Sequence, residues 1–181
     1  KDPNVEKKLD EYSKTLIQQI DVLSSIATAF SSFAELPAQK NEKIDLISTI
    51  KLCLEIFNDR NVVFKSDLNK LEILFDRTNL IRIINNLVKN SIQATNDILE
   101  PKILVQVKKI NKSALIEIID NGLGIPNELK EKIFEPNFTT KTKGMGLGLS
   151  IIKNLITNYK GIISFKSKKG ETVFTIKLPV D

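Results

Sequence analysis

The chain has 181 residues, 41% of them hydrophobic, and 27 Lys and Arg against 22 Asp and Glu give a net charge of +5. No apolar run approaches the roughly 20 residues of a membrane span. The single cysteine, Cys53, excludes an intrachain disulfide, and the lack of any histidine removes the commonest general base and metal ligand. The basic residues are spread along the chain without interleaved aromatics. That argues against nucleic acid and leaves a polyanionic ligand or an acidic protein partner.

The start, Lys1-Asp-Pro-Asn4, has no signal-peptide character, and its abruptness reads as the beginning of a piece of something longer. From Val5 to Leu36 apolar residues recur at spacings of three and four: Val5, Leu9, Tyr12, Leu16, Ile20, Leu23, Ala27, Phe30 and Ala34. This predicts one long helix, ended by Pro37. Such a stripe cannot bury itself, so the helix is expected to pack on another molecule in preference to the domain that follows. Residues 38–44 are polar and read as a hinge. Asp45 suits the N-cap of a helix reaching Asn58, in which Cys53 is a small buried hydrophobe. Strands are expected at Val62–Lys65 and Leu71–Phe75, then a helix over Asn79–Asn96 capped by Asp76 or Thr78. Two alternating strands, Ile103–Lys109 and Ala114–Asp120, join as a hairpin at Asn111-Lys-Ser113. A loop rich in Gly and Pro spans 121–145, with a short helix at Glu128–Phe134. A helix over Gly148–Asn158 precedes a last hairpin of Ile162–Ser167 and Thr172–Leu178 around Lys169-Gly170. Helices between antiparallel strand pairs predict a two-layer α/β sandwich and not a doubly wound parallel sheet.

Three segments carry chemistry. In Asn86-Leu-Val-Lys-Asn90 the two amides share one helix face, and an amide oxygen can coordinate Mg²⁺ that phosphates already hold; two solvated asparagines are the alternative. Asp120-Asn-Gly-Leu-Gly-Ile125 follows an apolar strand. It either places one carboxylate in a tight pocket, suited to the amino group of adenine, or is an ordinary turn. In Lys143-Gly-Met-Gly-Leu-Gly-Leu-Ser150 the glycines at 144, 146 and 148 let backbone N–H groups approach a phosphate at a helix N-terminus. The spacing is not that of a Walker P-loop.

In this order the segments resemble the catalytic, ATP-binding domain of sensor histidine kinases of two-component systems. The first resembles their N box, the second their first glycine box and the third their second glycine box. Phe134-Glu-Pro-Asn-Phe-Thr-Thr-Lys141 resembles their F box, most like the nitrogen-regulation sensor kinases. The resemblance covers about Asp45 to Pro179. It implies the Bergerat fold, a mixed sheet packed on helices, with ATP and Mg²⁺ as cofactors. It implies that Asn90 and Gln93 face the nucleotide and that Asn90 is the Mg²⁺ ligand. Asp120 would hold the adenine amino group, with Gly122, Gly124 and Ile125 shaping the pocket and Thr172 lining it. Gly144, Gly146, Leu147, Gly148 and Leu149 would cradle phosphates. Residues 135–145 would form a lid that brings Phe138, Thr139, Thr140 and Lys141 to the nucleotide, Lys141 near the γ-phosphate. Asn86 stands where hydrolysing relatives carry a Glu that activates water, and an amide is a poor base. Gln93 stands where many kinases carry Lys or Arg.

By the same resemblance, residues 1–37 are the second helix of the dimerisation and phosphotransfer hairpin, and 45–181 the catalytic domain. The acceptor histidine then belongs to a helix absent from this sequence. The implied partners are a second copy of the chain and the receiver domain of a response regulator, in the cytoplasm, with membrane anchoring of a longer parent left open. A self-sufficient Bergerat ATPase, an anti-sigma-type serine kinase and a non-catalytic nucleotide-sensing dimerisation module are the alternatives.

Overall fold

A computed structural model describes residues 12–13, 15–17, 19–20, 40–136, 138–139 and 146–180. Its contacts divide the chain into two units, Lys1–Gln39 and Lys40–Asp181. In the first, the described residues are all helical and exposed, among them Tyr12, Leu16, Ile17 and Ile20. The rest of the expected helix, Val5–Leu36, lies outside the described residues.

The second unit begins with β1 (Glu42–Asp45), paired antiparallel with β3 (Glu72–Phe75). This corrects the hinge expected over 38–44, because from Glu42 onward the segment is strand. Asp45 then caps α1 (Leu46–Leu54), accepting from the N–H groups of Ile47 and Ser48. It also accepts from Leu71 N–H at 3.0 Å, which ties the helix start to β3. Burial raises the Asp45 pKa, but hydrogen bonds led by that from Leu71 outweigh burial and hold the carboxyl below its ordinary value. The expected helix to Asn58 tightens after Leu54 into a 3₁₀ stretch, Glu55–Arg60, that ends on left-handed Asn61. Inside it Phe57 leaves helical geometry and is buried in the core.

After β2 (Val62–Ser66) and β3, Asp76 caps α2 (Arg77–Ala94) by accepting from Asn79 N–H at 2.9 Å. The apolar stripe of α2, Leu80, Ile83, Ile84, Leu87 and Val88, is buried. The hairpin of β4 (Ile103–Ile110) and β5 (Ser113–Asp120) turns at Asn111 and Lys112, with Asn111 left-handed. The expected helix at Glu128–Phe134 is only a 3₁₀ turn, Asn127–Leu129, with no side-chain cap at its start. The chain continues in three-residue turns, Lys132 N–H to the Leu129 carbonyl and Glu135 N–H to the Lys132 carbonyl. These sink Ile133 into the core. α3 (Gly148–Asn158) precedes the hairpin of β6 (Ile162–Lys168) and β7 (Glu171–Pro179), which turns at Gly170.

The main sheet has the order β2-β4-β5-β7-β6, parallel only between β2 and β4. The helices pack on one face: α1 on β2, α2 on β4 and β5, and α3 on β6. This is the two-layer sandwich with a mixed sheet that the sequence predicts. Among the described residues no helix is long and apolar enough to cross a membrane.

Candidate functional site

The period-2 alternation of β5 buries Ala114, Ile116 and Ile118 against the helices and leaves alternate residues half-exposed. Asp120 falls on the same inward phase, so the strand that builds the core also drives a carboxylate into the interior, 3% exposed. Ser91 Oγ, on the buried face of α2, donates to Asp120 Oδ2 at 2.9 Å, and Gly122 N–H donates to Oδ1 at 3.0 Å. Burial pushes the Asp120 pKa above its ordinary value, because these two hydrogen bonds only partly offset the loss of water. Each oxygen still has acceptor capacity for one more donor. Thr172 pairs directly opposite Asp120 and is also 3% exposed. A buried acceptor beside a buried hydroxyl is a recognition pair suited to the edge of a heterocyclic base.

The loop after Asp120 is held close on both sides. Leu123 N–H donates to the Ala94 carbonyl at 3.2 Å and Gly170 N–H to the Gly122 carbonyl at 3.0 Å. Gly124 has φ +80, and a Cβ there would lie 2.5 Å from the Lys168 carbonyl oxygen, so only glycine fits. Ile125 N–H donates to Ser167 Oγ at 2.8 Å, and Ser167 Oγ lies 2.8 Å from Thr172 Oγ1. Asn121 anchors the outer side, accepting from Lys102 N–H and donating to the Glu100 carbonyl, each at 2.8 Å.

On α2, Asn86 Nδ2 donates to the Arg82 carbonyl, and a Cβ added to Gly148 would sit 3.5 Å from Asn86 Oδ1. The Asn86 turn and the start of α3 therefore face one another. Asn90, one turn further on and half-buried, directly precedes Ser91. The structure thus brings the asparagine helix to both glycine segments. Gly146 is left-handed, φ +68, and the α3 N-cap, Leu147, makes no side-chain cap. Among the described residues no side chain caps the first amides of α3, a geometry that suits an anion, and Gly148 and Leu149 are half-buried beside them. Phe138 packs partly buried against the core and Thr139 is exposed. Thr140, Lys141 and Gly144 lie outside the described residues.

Gln93 is exposed on α2 and lines a cavity of ≈ 400 Å³ with Ile56, Phe57, Lys89, Ile92 and Asn96. That cavity touches neither Asp120 nor Thr172, so it is not the pocket the carboxylate serves. Among the described residues no group of three acidic or Cys side chains can hold a metal. The donor set suits a cation that arrives with phosphates and takes an amide oxygen from the protein.

Sequence reasoning missed Ser91 and Ser167. Ser91 carries a usable signal, a hydroxyl one turn beyond Leu87 on the apolar stripe of α2. Ser167 carries none along its own strand, because its partners are 42 residues before it and five after.

Comparison with known proteins bears on the family and the fold. The profile of a family described as histidine kinase-, DNA gyrase B-, and HSP90-like ATPase matches residues 75–181. Sporulation kinase B of Bacillus subtilis is 34% identical over 97% of this chain and 42% of its own length. The sensory histidine kinase/phosphatase NtrB of Vibrio alginolyticus is 30% identical over 95% of this chain and 53% of its own. The chain thus spans about half or less of the length of these curated relatives. Among solved structures, the catalytic domain of histidine kinase ThkA is 33% identical with a TM-score of 0.69, over 77% of this chain and 95% of its own. ThkA solved in complex with the response regulator protein TrrA superposes over 100% of this chain and 53% of its own, at 26% identity and a TM-score of 0.80.

Proposed function

The chain belongs to the histidine kinase-, DNA gyrase B- and HSP90-like ATPases, with histidine kinase catalytic domains among its solved relatives, and we propose that it binds ATP with Mg²⁺ and presents the γ-phosphoryl for transfer to a histidine. The chain has no histidine, so the acceptor lies outside these 181 residues. The observation that carries the reading is the buried Asp120 carboxylate beside Thr172, one helix face away from Asn90 and the uncapped start of α3. In this reading Asp120 accepts from the adenine amino group, the glycines of the first loop let the base approach, and the α3 amides hold phosphate oxygens. Asn90 supplies an amide oxygen to Mg²⁺, which when bound neutralises charge on the phosphates. Asn86 has an amide and no carboxylate, which supports a site that spares ATP until a protein nucleophile arrives. Lys141, Thr140 and Gly144 are assigned to the lid and phosphate end on the motif alone, and Gln93 to the phosphate side of α2.

The same reading makes a response-regulator receiver domain the downstream partner, supported by the structure of ThkA in complex with a response regulator protein. In the same reading the domain works where ATP is supplied, on the cytoplasmic side. Calorimetric titration with a non-hydrolysable ATP analogue, with and without Mg²⁺, tests the assignment. Asn90→Ala is expected to raise Kd about tenfold or more in the presence of Mg²⁺ and to change it little without the ion. Equal Kd values for wild type and variant in Mg²⁺ would remove Asn90 from the metal site. Steady phosphate release by the chain alone would favour the self-sufficient ATPase.

Self-association through the 5–36 segment is also part of the proposal, and the exposure of Tyr12, Leu16 and Ile20, 59–66%, supports it. Light scattering across a concentration series is expected to show a dimer. A monomer at every concentration would refute this part.

A further inference from the structure

β6 lies at one edge of the main sheet. This edge strand contributes little to the core, yet three contacts from the nucleotide-side loops converge on it. Ile125 N–H donates to Ser167 Oγ at 2.8 Å, Lys130 Nζ donates to the Ser167 carbonyl at 2.7 Å, and the Phe134 ring meets the edge of Phe165 at a centroid distance of 5.9 Å. From this convergence we infer that Ser167 is a positioning residue of the nucleotide site, fixing the Ile125 backbone and the hydroxyl of Thr172 opposite Asp120. The inference rests on the reading that Asp120 and Thr172 face the purine.

The loop from Gly122 to Ile125 is pinned by three long-range hydrogen bonds. Two run backbone to backbone, Leu123 N–H to Ala94 and Gly170 N–H to Gly122. The third, Ile125 N–H to Ser167 Oγ, depends on a side chain, so it can be removed by mutation without touching the ladder. Ser167 Oγ has one proton and two lone pairs, and the Ile125 amide occupies one of those lone pairs. A single proton then lies between Ser167 Oγ and Thr172 Oγ1. If Ser167 provides it, the Thr172 proton is free to point into the site. If Thr172 provides it, Thr172 offers the site only lone pairs. The direction of the Ser167–Thr172 hydrogen bond thereby sets whether Thr172 is a donor or an acceptor beside the Asp120 acceptor. An acceptor next to a donor matches the amino and ring-nitrogen edge of adenine; two acceptors do not. On the adenine reading Thr172 is the donor, and Ser167 accounts in part for purine selectivity without touching the ligand.

The test uses this chain with Ser167→Ala and Ser167→Thr, titrated with non-hydrolysable ATP and GTP analogues, and follows amide exchange at Ile125. Ser167→Ala is expected to raise Kd for the adenine nucleotide about tenfold, the weight of one hydrogen bond with its lost partner, and the guanine nucleotide less. The adenine preference narrows, and Ile125 exchanges faster while amides of β5 do not. Ser167→Thr keeps the hydroxyl and is expected to restore selectivity and protection. If the wild type binds ATP selectively and Ser167→Ala matches it in Kd, selectivity and exchange, this inference fails alone. Equal loss for both nucleotides, with a lower Tm and no rescue by threonine, also overturns it, because that is the mark of a structural role only. A wild-type chain that binds no adenine nucleotide overturns the functional reading itself.

Discussion

Asp120→Ala is expected to lower affinity for the ATP analogue about 100-fold while the chain stays folded, the scale of a hydrogen bond to a charged group removed from a buried site. The carboxylate sits 3% exposed, with two donors and no ion pair among the described residues. Burial dominates its raised pKa, so a ligand amino group would give back part of what water no longer supplies. For the fold, removing this group strands the Ser91 hydroxyl and the Gly122 N–H but also relieves a desolvated charge, so the net stability change should stay within about 1–2 kcal/mol. The pH dependence has a definite sign. Between the ordinary aspartate value and the raised folded value, the native state binds more protons than the unfolded one. Its contribution to stability is therefore full below the ordinary value and is lost as pH rises through the folded one. Nucleotide binding runs the other way, because the ionised carboxylate accepts from the base more strongly than the neutral acid does. Affinity should fall as pH is lowered through the raised folded value, and Asp120→Asn should flatten that profile and narrow the preference for adenine over guanine. Calorimetry across a pH series reads both; an Asp120→Ala chain that binds ATP like the wild type would remove the carboxylate from the site.

What was legible in advance follows from how far each feature reaches along the chain. The α2 stripe and the β4–β5 hairpin are local, and their periods of three-to-four and two appear in the sequence as in the structure. Asp120 was legible because a strand and its terminal glycine turn are contiguous. β1 was not: Glu42, Lys43 and Asp45 surround one apolar residue, Ile44, and the strand exists only because Phe75 to Glu72 lie alongside. The expected helix at Glu128–Phe134 had the right composition, but it lacks a cap, and burial of Ile133 rewards turns over a straight helix. The two serines that complete the site were hidden for the same reason as β1. Ser91 meets Asp120 across 29 residues and Ser167 meets Ile125 across 42, so although the stripe of α2 marks Ser91 as buried, neither serine's partner can be read from its neighbours. In the proposed site the four boxes name the residues that would meet a nucleotide, and the packing shows which residues hold Asp120 and Ile125 in place.

Gly122→Ala is expected to lower stability through steric overlap alone, without a left-handed φ to add to it. A Cβ at 122 would lie 2.6 Å from the Ala94 carbonyl oxygen and 2.8 Å from the Ala94 carbonyl carbon and Cβ. The obstacle is mostly backbone at the end of α2, so no rotamer change relieves it, and the same carbonyl accepts from Leu123 N–H. Either that bond breaks or the loop moves off α2. Overpacking of this kind costs about 2–3 kcal/mol, which for a unit of this size lowers Tm by about 5–10 °C. Gly170→Ala separates space from backbone strain. Its φ of +82 also disfavours a side chain, but nothing lies within 4 Å of the added Cβ. Only the conformational term of about 1 kcal/mol remains there. The two variants should also differ in binding. Moving Gly122 shifts an N–H that holds Asp120 Oδ1, so nucleotide affinity should fall about tenfold or more at a temperature where the variant is fully folded. Gly170→Ala keeps the backbone donor to the Gly122 carbonyl and should bind like the wild type. Thermal denaturation and calorimetry on both variants decide the matter. Equal Tm losses would mean that the close approach of the Asp120 loop to α2 is not what requires glycine at 122, and the rigid mounting of the carboxylate argued from it would have to be abandoned.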